Sequence, residues 1–431
     1  MGSYAGFEID GFELFSSKSY AVGSVMTIFT EGDRTTYIAS RDDEDLVRRE
    51  VDVSGITDTV ELDLPDDECL VVRYRAPLAV VRDRLDAMGI TFGAARARVE
   101  RLLTDDAEST DDESPPLHEA GSAPTFEDWV EGLRYVRDLP SRWSHEAERR
   151  SALESSDVPR LANAMADSVV WPFDDDDDPR TFVRAALEAW PDDAVVEYDL
   201  THVVGGGWYR PDEAVAADAM TSILRTPAHH PTIILTEGSS DTWILEGALR
   251  VLAPHLVGYY RFLDQTAFNS PGGTATLVAM VKAFAAAGIA NRVVAIFDND
   301  AAGTAAYRSL LRESLPGSIR CLQLPDTALA REYPTVGPGG PQVMDVNGTA
   351  GSIELYLGKD VLMTADGGLS PVVWRSLDHT SGLYQGEIRN KRLVHEGFRR
   401  KLAEAGRTGE VGPEWSDLRA VISLIRGADD P

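Results

Sequence analysis

TIILTEGSSD (232–241) and RVVAIFDNDAAG (292–303) decide the fold of the C-terminal half. Each holds a short apolar run that ends in acid. Runs that are apolar throughout suit strands buried on both faces of a parallel sheet. The neighbouring segments keep the alternation. TWILEGALRVL (242–252) reads as helix and LVGYYRFL (256–263) as strand. GGTATLVAMVKAFAAAGI (272–289) opens on glycines and sets Leu277, Val278, Val281 and Phe284 on one helical face. GTAAYRSLLRES (303–314) is a further helix and IRCLQLP (319–325) a further strand. Strand and helix in turn predict an α/β domain with a mainly parallel sheet, helices on both faces and ligands at the strand ends.

The acids fall where such a fold places its chemistry. Glu237 ends the first strand, and Asp241 follows in the turn into the helix. Asp298 and Asp300 end the third strand, and a spacing of two turns both carboxylates to one side of an extended backbone. Gly303 then lets the chain turn tightly into a helix. If sheet order brings the strand ends together, four carboxylates crowd one crevice and call for a hard cation. Oxygen ligands suit Mg²⁺ or Mn²⁺.

TEGSSD (236–241) and FDNDAAG (297–303) resemble the two signature motifs of the Toprim fold, EGxxD and DxDxxG. GSIELYLG (351–358) is similar to the third acidic element of the overcoming-lysogenization-defect (OLD) nucleases, with Glu354 in the acidic position. YQGEIRNK (384–391) resembles the region where that branch carries a catalytic lysine, here Lys391, and Arg389 and Arg392 beside it are expected to contact substrate phosphates. The opening MGSYAGFEIDGFELFSSKSYAV, with GDRTTYI, is similar to the domain that precedes Toprim in HEPN/Toprim-associated proteins. The resemblance implies a metal-dependent nuclease. Glu237, Asp298 and Asp300 would hold the metal, with Asp241 and Glu354 as direct or water-mediated ligands. Lys391 would neutralise charge on the phosphate, and Glu237 is an alternative proton shuttle. DNA or RNA is the expected substrate, with defence against phages as the setting. A homo-oligomer or a partner defence protein is an expected companion. The competing expectation is a Toprim scaffold that binds nucleic acid or a partner protein without catalysis.

Taken singly, each motif has a plainer explanation. A lone DxD in an acidic chain is commonly a solvated turn, and the residues around Glu354 can simply cap a helix. Asp264 and Asp345 are weaker candidates. The HEPN ribonuclease pattern, Arg followed by His after four to six residues, fits Arg225–His230, Arg250–His255 and Arg389–His395 by spacing. Chance explains such matches in a chain this rich in arginine, and none lies in residues 1–220.

The rest of the chain sets bounds. It has 431 residues, 43% hydrophobic, with a net charge of −30. That balance disfavours broad phosphate binding and requires a local basic groove or metal ions if the substrate is nucleic acid. Cys69 and Cys321 lie far apart and lack CxxC spacing, which argues against a disulfide framework or a structural zinc site. The start lacks the basic residues and apolar core of a signal peptide, and no apolar run is long enough to span a membrane, so a cytoplasmic protein is expected. Residues 1–103 read as an α+β domain, with strands expected at Phe7–Ile9, Ser24–Phe29, Thr36–Ile38 and Leu70–Tyr74. Residues 104–123 hold seven acids, no Lys or Arg and two prolines, and read as a linker. Residues 124–228 read as a mainly helical middle region with a solvated acidic run at Asp174–Asp178. Residues 229–395 read as the catalytic domain and 396–431 as a helical extension. Two cysteines cannot supply a primase zinc module, and the chain is too short for topoisomerase gates.

Overall fold

The computed structural model describes residues 2–108, 124–140, 146–155, 158–159, 161–170, 172–173, 177–223, 230–263, 272–378 and 383–427. Most of the linker read at 104–123, Asp174, Arg225 and Asp264 therefore lie outside the described residues. The chain divides into two compact units, Met1–Thr226 and Pro227–Pro431.

The N-terminal unit is built on strands β1 (Tyr4–Ile9), β2 (Phe12–Lys18), β3 (Arg34–Ser40), β4 (Asp43–Glu50), β5 (Glu68–Pro77) and β6 (Val195–Asp199). They form an antiparallel sheet in the order β2-β1-β6-β5-β3-β4. Along β1, buried residues alternate with more accessible ones, the period of a sheet with one covered face. Phe7, Ile9, Val72, Tyr74, Val196 and Tyr198 share a core with residues of helices α1 (Leu78–Ala87), α2 (Phe92–Glu108), α3 (Phe126–Arg137) and α4 (Pro179–Ala186). Trp129 and Phe182 meet edge-on in that core, ring centroids 6.3 Å apart.

Four expectations change here. Residues 124–228 are not a separate helical region, because β6 fills the middle of the sheet between β1 and β5. Ser24–Phe29 is not a strand. Gly23–Met26 is a short helix, and the next residues continue in turns bonded three residues back. Val25, Met26, Ile28 and Phe29 are all buried, so the run has no exposed face and no alternation. Residues 104–108 of the expected linker continue α2. Asp178 caps α4 and pairs with Arg180, and Asp177 pairs with Arg98, so this end of the acidic run is structural.

In the C-terminal unit, β7 (Thr232–Leu235), β8 (Tyr260–Phe262), β9 (Val293–Phe297) and β10 (Ile319–Gln323) form an all-parallel sheet in the order β10-β9-β7-β8. The intervening helices are α5 (Ser239–Leu252), α6 (Thr274–Ala287) and α7 (Ala301–Leu310). Every residue of β9 is buried, as its unbroken apolar run requires. Leu277, Val281 and Leu310 cover the face that carries Leu235, Val293, Ala295 and Phe297. Ile234, Val294 and Ile296 point to the other face by alternation. A second sheet follows, β12-β11-β13-β14, from β11 (Tyr333–Gly337), β12 (Gly340–Met344), β13 (Val372–Asp378) and β14 (Leu383–Ile388). Helices α8 (Lys391–Thr408) and α9 (Ser416–Arg426) end the unit, and both pack on α5. The expected boundary at 395/396 falls inside α8, so the helical extension belongs to this unit. The expected α/β architecture with a parallel sheet stands. No helix among the described residues is long and apolar enough to cross a membrane.

Candidate functional site

Neighbouring parallel strands bring the first acids together. β7 and β9 pair with Leu235 opposite Ala295, so Glu237 and Asp298 leave adjacent strand ends. The Asp298 N–H donates to Glu237 Oε1 at 3.0 Å. Thr274, at the start of α6, donates its hydroxyl to the other Glu237 oxygen. Asp300 caps α7, accepting the Gly303 N–H at 2.7 Å, and its second oxygen accepts from Gln385 Nε2 at 2.9 Å. Asp241 sits in the first turn of α5, accepting from the Gly238 N–H at 2.8 Å and the Ser240 hydroxyl at 3.2 Å.

Gly303 is needed for space rather than for an unusual dihedral. A Cβ there would press into the Asp298 carbonyl and stand 3.0 Å from Glu237 Oε1. The helix can therefore approach the acids only with glycine at this position.

The distant Glu354 arrives by a short antiparallel pairing, Asn299 with Gly351 and Asp300 with Ala350. Gly351 makes that approach possible, since a Cβ would lie 2.5 Å from the Asn299 carbonyl oxygen. Glu354 is 1% exposed. Ser352 donates to its Oε2 at 2.6 Å, while His395 Nε2 and Lys391 Nζ lie 2.9 and 3.3 Å from its Oε1. Lys391 and His395 are four apart on α8 and so face the same way. Trp243 meets the His395 ring edge-on at 5.6 Å.

The electrostatics follow from crowding. Burial, helped by the charges of Asp300 and Asp241, pushes the Glu237 carboxyl up to about 7 against the pull of its hydrogen bonds. Burial and the Glu354 charge push Asp241 up to about 6. Asp298 is raised well above the usual carboxylate range by burial and by Asp241, Glu237, Asp300 and Glu354 together. For Glu354, burial is outweighed by the His395 hydrogen bond, the Lys391 charge and the Ser352 hydroxyl, which hold it at about 2. Burial disfavours a charged Lys391, but Glu354 and Asp298 outweigh it and raise its pKa.

Other sequence candidates separate from this cluster. Arg389 and Arg392 are exposed, and Arg392 lies 3.6 Å from Glu396. Asp345 accepts from the Asn347 backbone and side-chain amides, a local turn. Of the Arg–His pairs, Arg250 bonds Glu246 one turn away, and His395 faces Glu354. Sequence reasoning missed His395, Gln385 and Thr274 as partners of the acids. Only His395 carried a signal, its four-residue step from Lys391.

Among the described residues, no group of three or more His, Cys, Asp or Glu side chains stands ready-formed to hold a metal ion. Glu237, Asp241, Asp300 and Glu354 each give both oxygens to protein donors. Asp298 has no such donor to its carboxylate among the described residues. An ionised carboxylate has about four lone-pair sites, so acceptor capacity remains on all five. The donors are all oxygen, mutually repelling and partly deprived of water. That set fits a hard divalent cation better than a thiolate- or imidazole-seeking one.

A family model described as HEPN/Toprim N-terminal domain 1 matches residues 1–222, more than half of the 431-residue chain. The chain belongs to this HEPN/Toprim-associated family. The match covers β1 to β6 and their helices, which makes the HEPN/Toprim N-terminal domain continuous through β6 and places its end before β7. No curated protein and no solved structure matches the chain.

Proposed function

We propose that the C-terminal unit is a Toprim domain of the OLD type, acting as a Mg²⁺- or Mn²⁺-dependent phosphodiesterase on nucleic acid. The observation that carries this reading is the convergence of Glu237, Asp241, Asp298, Asp300 and Glu354 on one end of a parallel sheet, with Lys391 as the ammonium facing them. Strand ends are where open α/β sheets bind ligands. Buried acids with displaced titration, in a group, are the pattern expected of catalytic carboxylates.

Glu237, Asp298 and Asp300 would hold the ion, with Asp241 and Glu354 completing its surroundings. When bound, such an ion polarises a phosphate and makes water a stronger nucleophile near neutral pH. The chain's own groups supply the rest. Lys391, kept charged by Glu354, sets a positive charge where a phosphate oxygen can be neutralised. Glu237, titrating near 7, can take or give a proton at working pH. Arg389 and Arg392, exposed at the entry to α8, would meet flanking phosphates. The setting proposed is defence against phages, on the resemblance to OLD-type nucleases.

Purified chain, incubated with Mg²⁺ or Mn²⁺ and single-stranded DNA, duplex DNA, tRNA or total RNA, tests this directly. Cutting that stops with a chelator and with Asp298→Ala is expected. The nuclease reading fails if nothing is cut or if Asp298→Ala cuts equally well. A stable complex without turnover would point to the scaffold instead.

A further inference from the structure

Beside the carboxylates, the second sheet of the C-terminal unit opens a cleft of about 390 Å³, within the roughly 300–1,000 Å³ of small-molecule pockets. Trp374 and Tyr384 give it aromatic walls, and Thr335, Gln342, Met344 and Asp345 are among the residues that line it with Thr349. Trp374 pairs with Gly386 across β13 and β14, and Tyr384 lies two residues before Gly386. Both rings therefore rise from one face of the sheet.

The indole is seated on glycines. A Cβ on Gly337 would stand 3.1 Å from Trp374 Cδ1, and one on Gly386 3.0 Å from Trp374 Cε3. Tyr384 is left 59% exposed, although a ring of that size gains from burial. Among the described residues no Lys or Arg lines the cleft, which argues against a phosphate as its occupant. The Gln342 amide and Asp345 carboxylate offer donors and acceptors of the kind that meet the edge of a base.

One link joins the cleft to the acids: Thr349, in its wall, is bridged to Asp300. The strand that carries Tyr384 touches the acids as well, through Gln385 on its other face, which donates to Asp300 Oδ2.

We propose that this cleft seats one unstacked nucleobase, held against Tyr384 and Trp374, from the strand whose phosphate lies at the carboxylates. The substrate is then single-stranded or locally opened nucleic acid, a narrowing that rests on the nuclease reading above. An intact duplex could fill the cleft only by flipping a base, at the cost of unstacking it. Aromatic stacking accepts every base, so weak sequence preference follows.

The test uses the full chain carrying Asp298→Ala, to prevent cutting during titration. End-labelled DNA and RNA oligonucleotides, single-stranded and annealed, are followed by fluorescence anisotropy. Adding Tyr384→Ala should weaken single-strand binding roughly tenfold, Tyr384→Phe should restore it, and duplex binding should not move. The base seat is overturned if neither Tyr384→Ala nor Trp374→Ala changes single-strand binding in correctly folded protein. It is overturned equally if a proline-rich peptide occupies the cleft and the oligonucleotide does not compete. Cleavage by the chain without Asp298→Ala is read separately. If that chain cuts while Tyr384→Ala has no effect on binding, the nuclease stands and the base seat falls. If it never cuts but binds single strands through Tyr384, the base seat stands and the nuclease falls.

Discussion

The two units bury opposite charges. Among the described residues, the buried charged side chains of the N-terminal unit are arginines, Arg73, Arg84, Arg180 and Arg184, and those of the C-terminal unit are carboxylates, Glu237, Asp300 and Glu354. Each arginine is answered within its own unit. Arg73 Nε lies 2.7 Å from Asp199, and Arg84 Nη1 lies 2.7 Å from Asp33. Arg184 is held between Asp86 and Glu188. The guanidinium fork suits such multiple pairing. In the C-terminal unit, five acids share one ammonium and one imidazole. Paired charge in the first unit fixes a scaffold. In the second, carboxylates outnumber their cationic partners, and a bound cation would offset that surplus.

The sharpest way to break this contrast is to remove one charge from each unit. Asp298→Ala takes away the acid with no protein donor to its carboxylate among the described residues. Metal-dependent cleavage should fall on the order of 10³-fold, read from initial rates on the preferred nucleic acid, while the folded state should be at least as stable as before. Arg84→Ala should do the reverse. It strands Asp33 in a half-buried place and should cost about 3–5 kcal/mol in chemical denaturation, with no effect on metal binding. If both variants lost only stability, the acids would be scaffold as well.

Gly303→Ala is a finer probe, since its Cβ enters the space of the Asp298 carbonyl. Overpacking of this kind costs about 1–3 kcal/mol, and the shift of Glu237 should weaken cation binding, seen by titration calorimetry. His395→Ala removes the hydrogen bond to Glu354. Losses of about 10–100-fold in metal affinity are typical of such supporting partners, and His395→Gln, which keeps a donor, should recover part of it.

The smallest expected effect is one of pH. Glu237 and Asp241 titrate at about 7 and about 6 in the folded chain, above their ordinary values. Between the unfolded and folded values the native state binds more protons. Stability is therefore present at low pH and falls as pH rises through that window. A bound cation displaces those protons and removes the loss. Thermal scans should show Mn²⁺ stabilising the chain more at about pH 8 than at about pH 5.

Much of the C-terminal unit was legible because its information is local. The strands from Thr232 and Val293 are short apolar runs, and their terminal acids are neighbours as soon as those strands pair. Glu354 was legible only through resemblance, because its place depends on Asn299 pairing with Gly351, a contact that no period along the chain encodes. The N-terminal sheet hides its closing strand for the same reason. Val195–Asp199 pairs with β1 and β5 across more than a hundred residues, and short alternating runs of that kind stand equally in many loops. SVMTIF (24–29) misled because β-branched and apolar residues suit a strand, whereas burial on every side suits a tight helical turn. His395 was visible at helical spacing from Lys391, but that matters only once residues 384–391 end and a helix begins.

Titration calorimetry of Mn²⁺ into the full chain, set beside the same titration of Asp298→Ala, tests most directly that the C-terminal acids form a cation site. Saturable binding with proton release is expected of the natural chain and should be lost in Asp298→Ala. Absence of saturable binding, or equal binding in both chains, would contradict it.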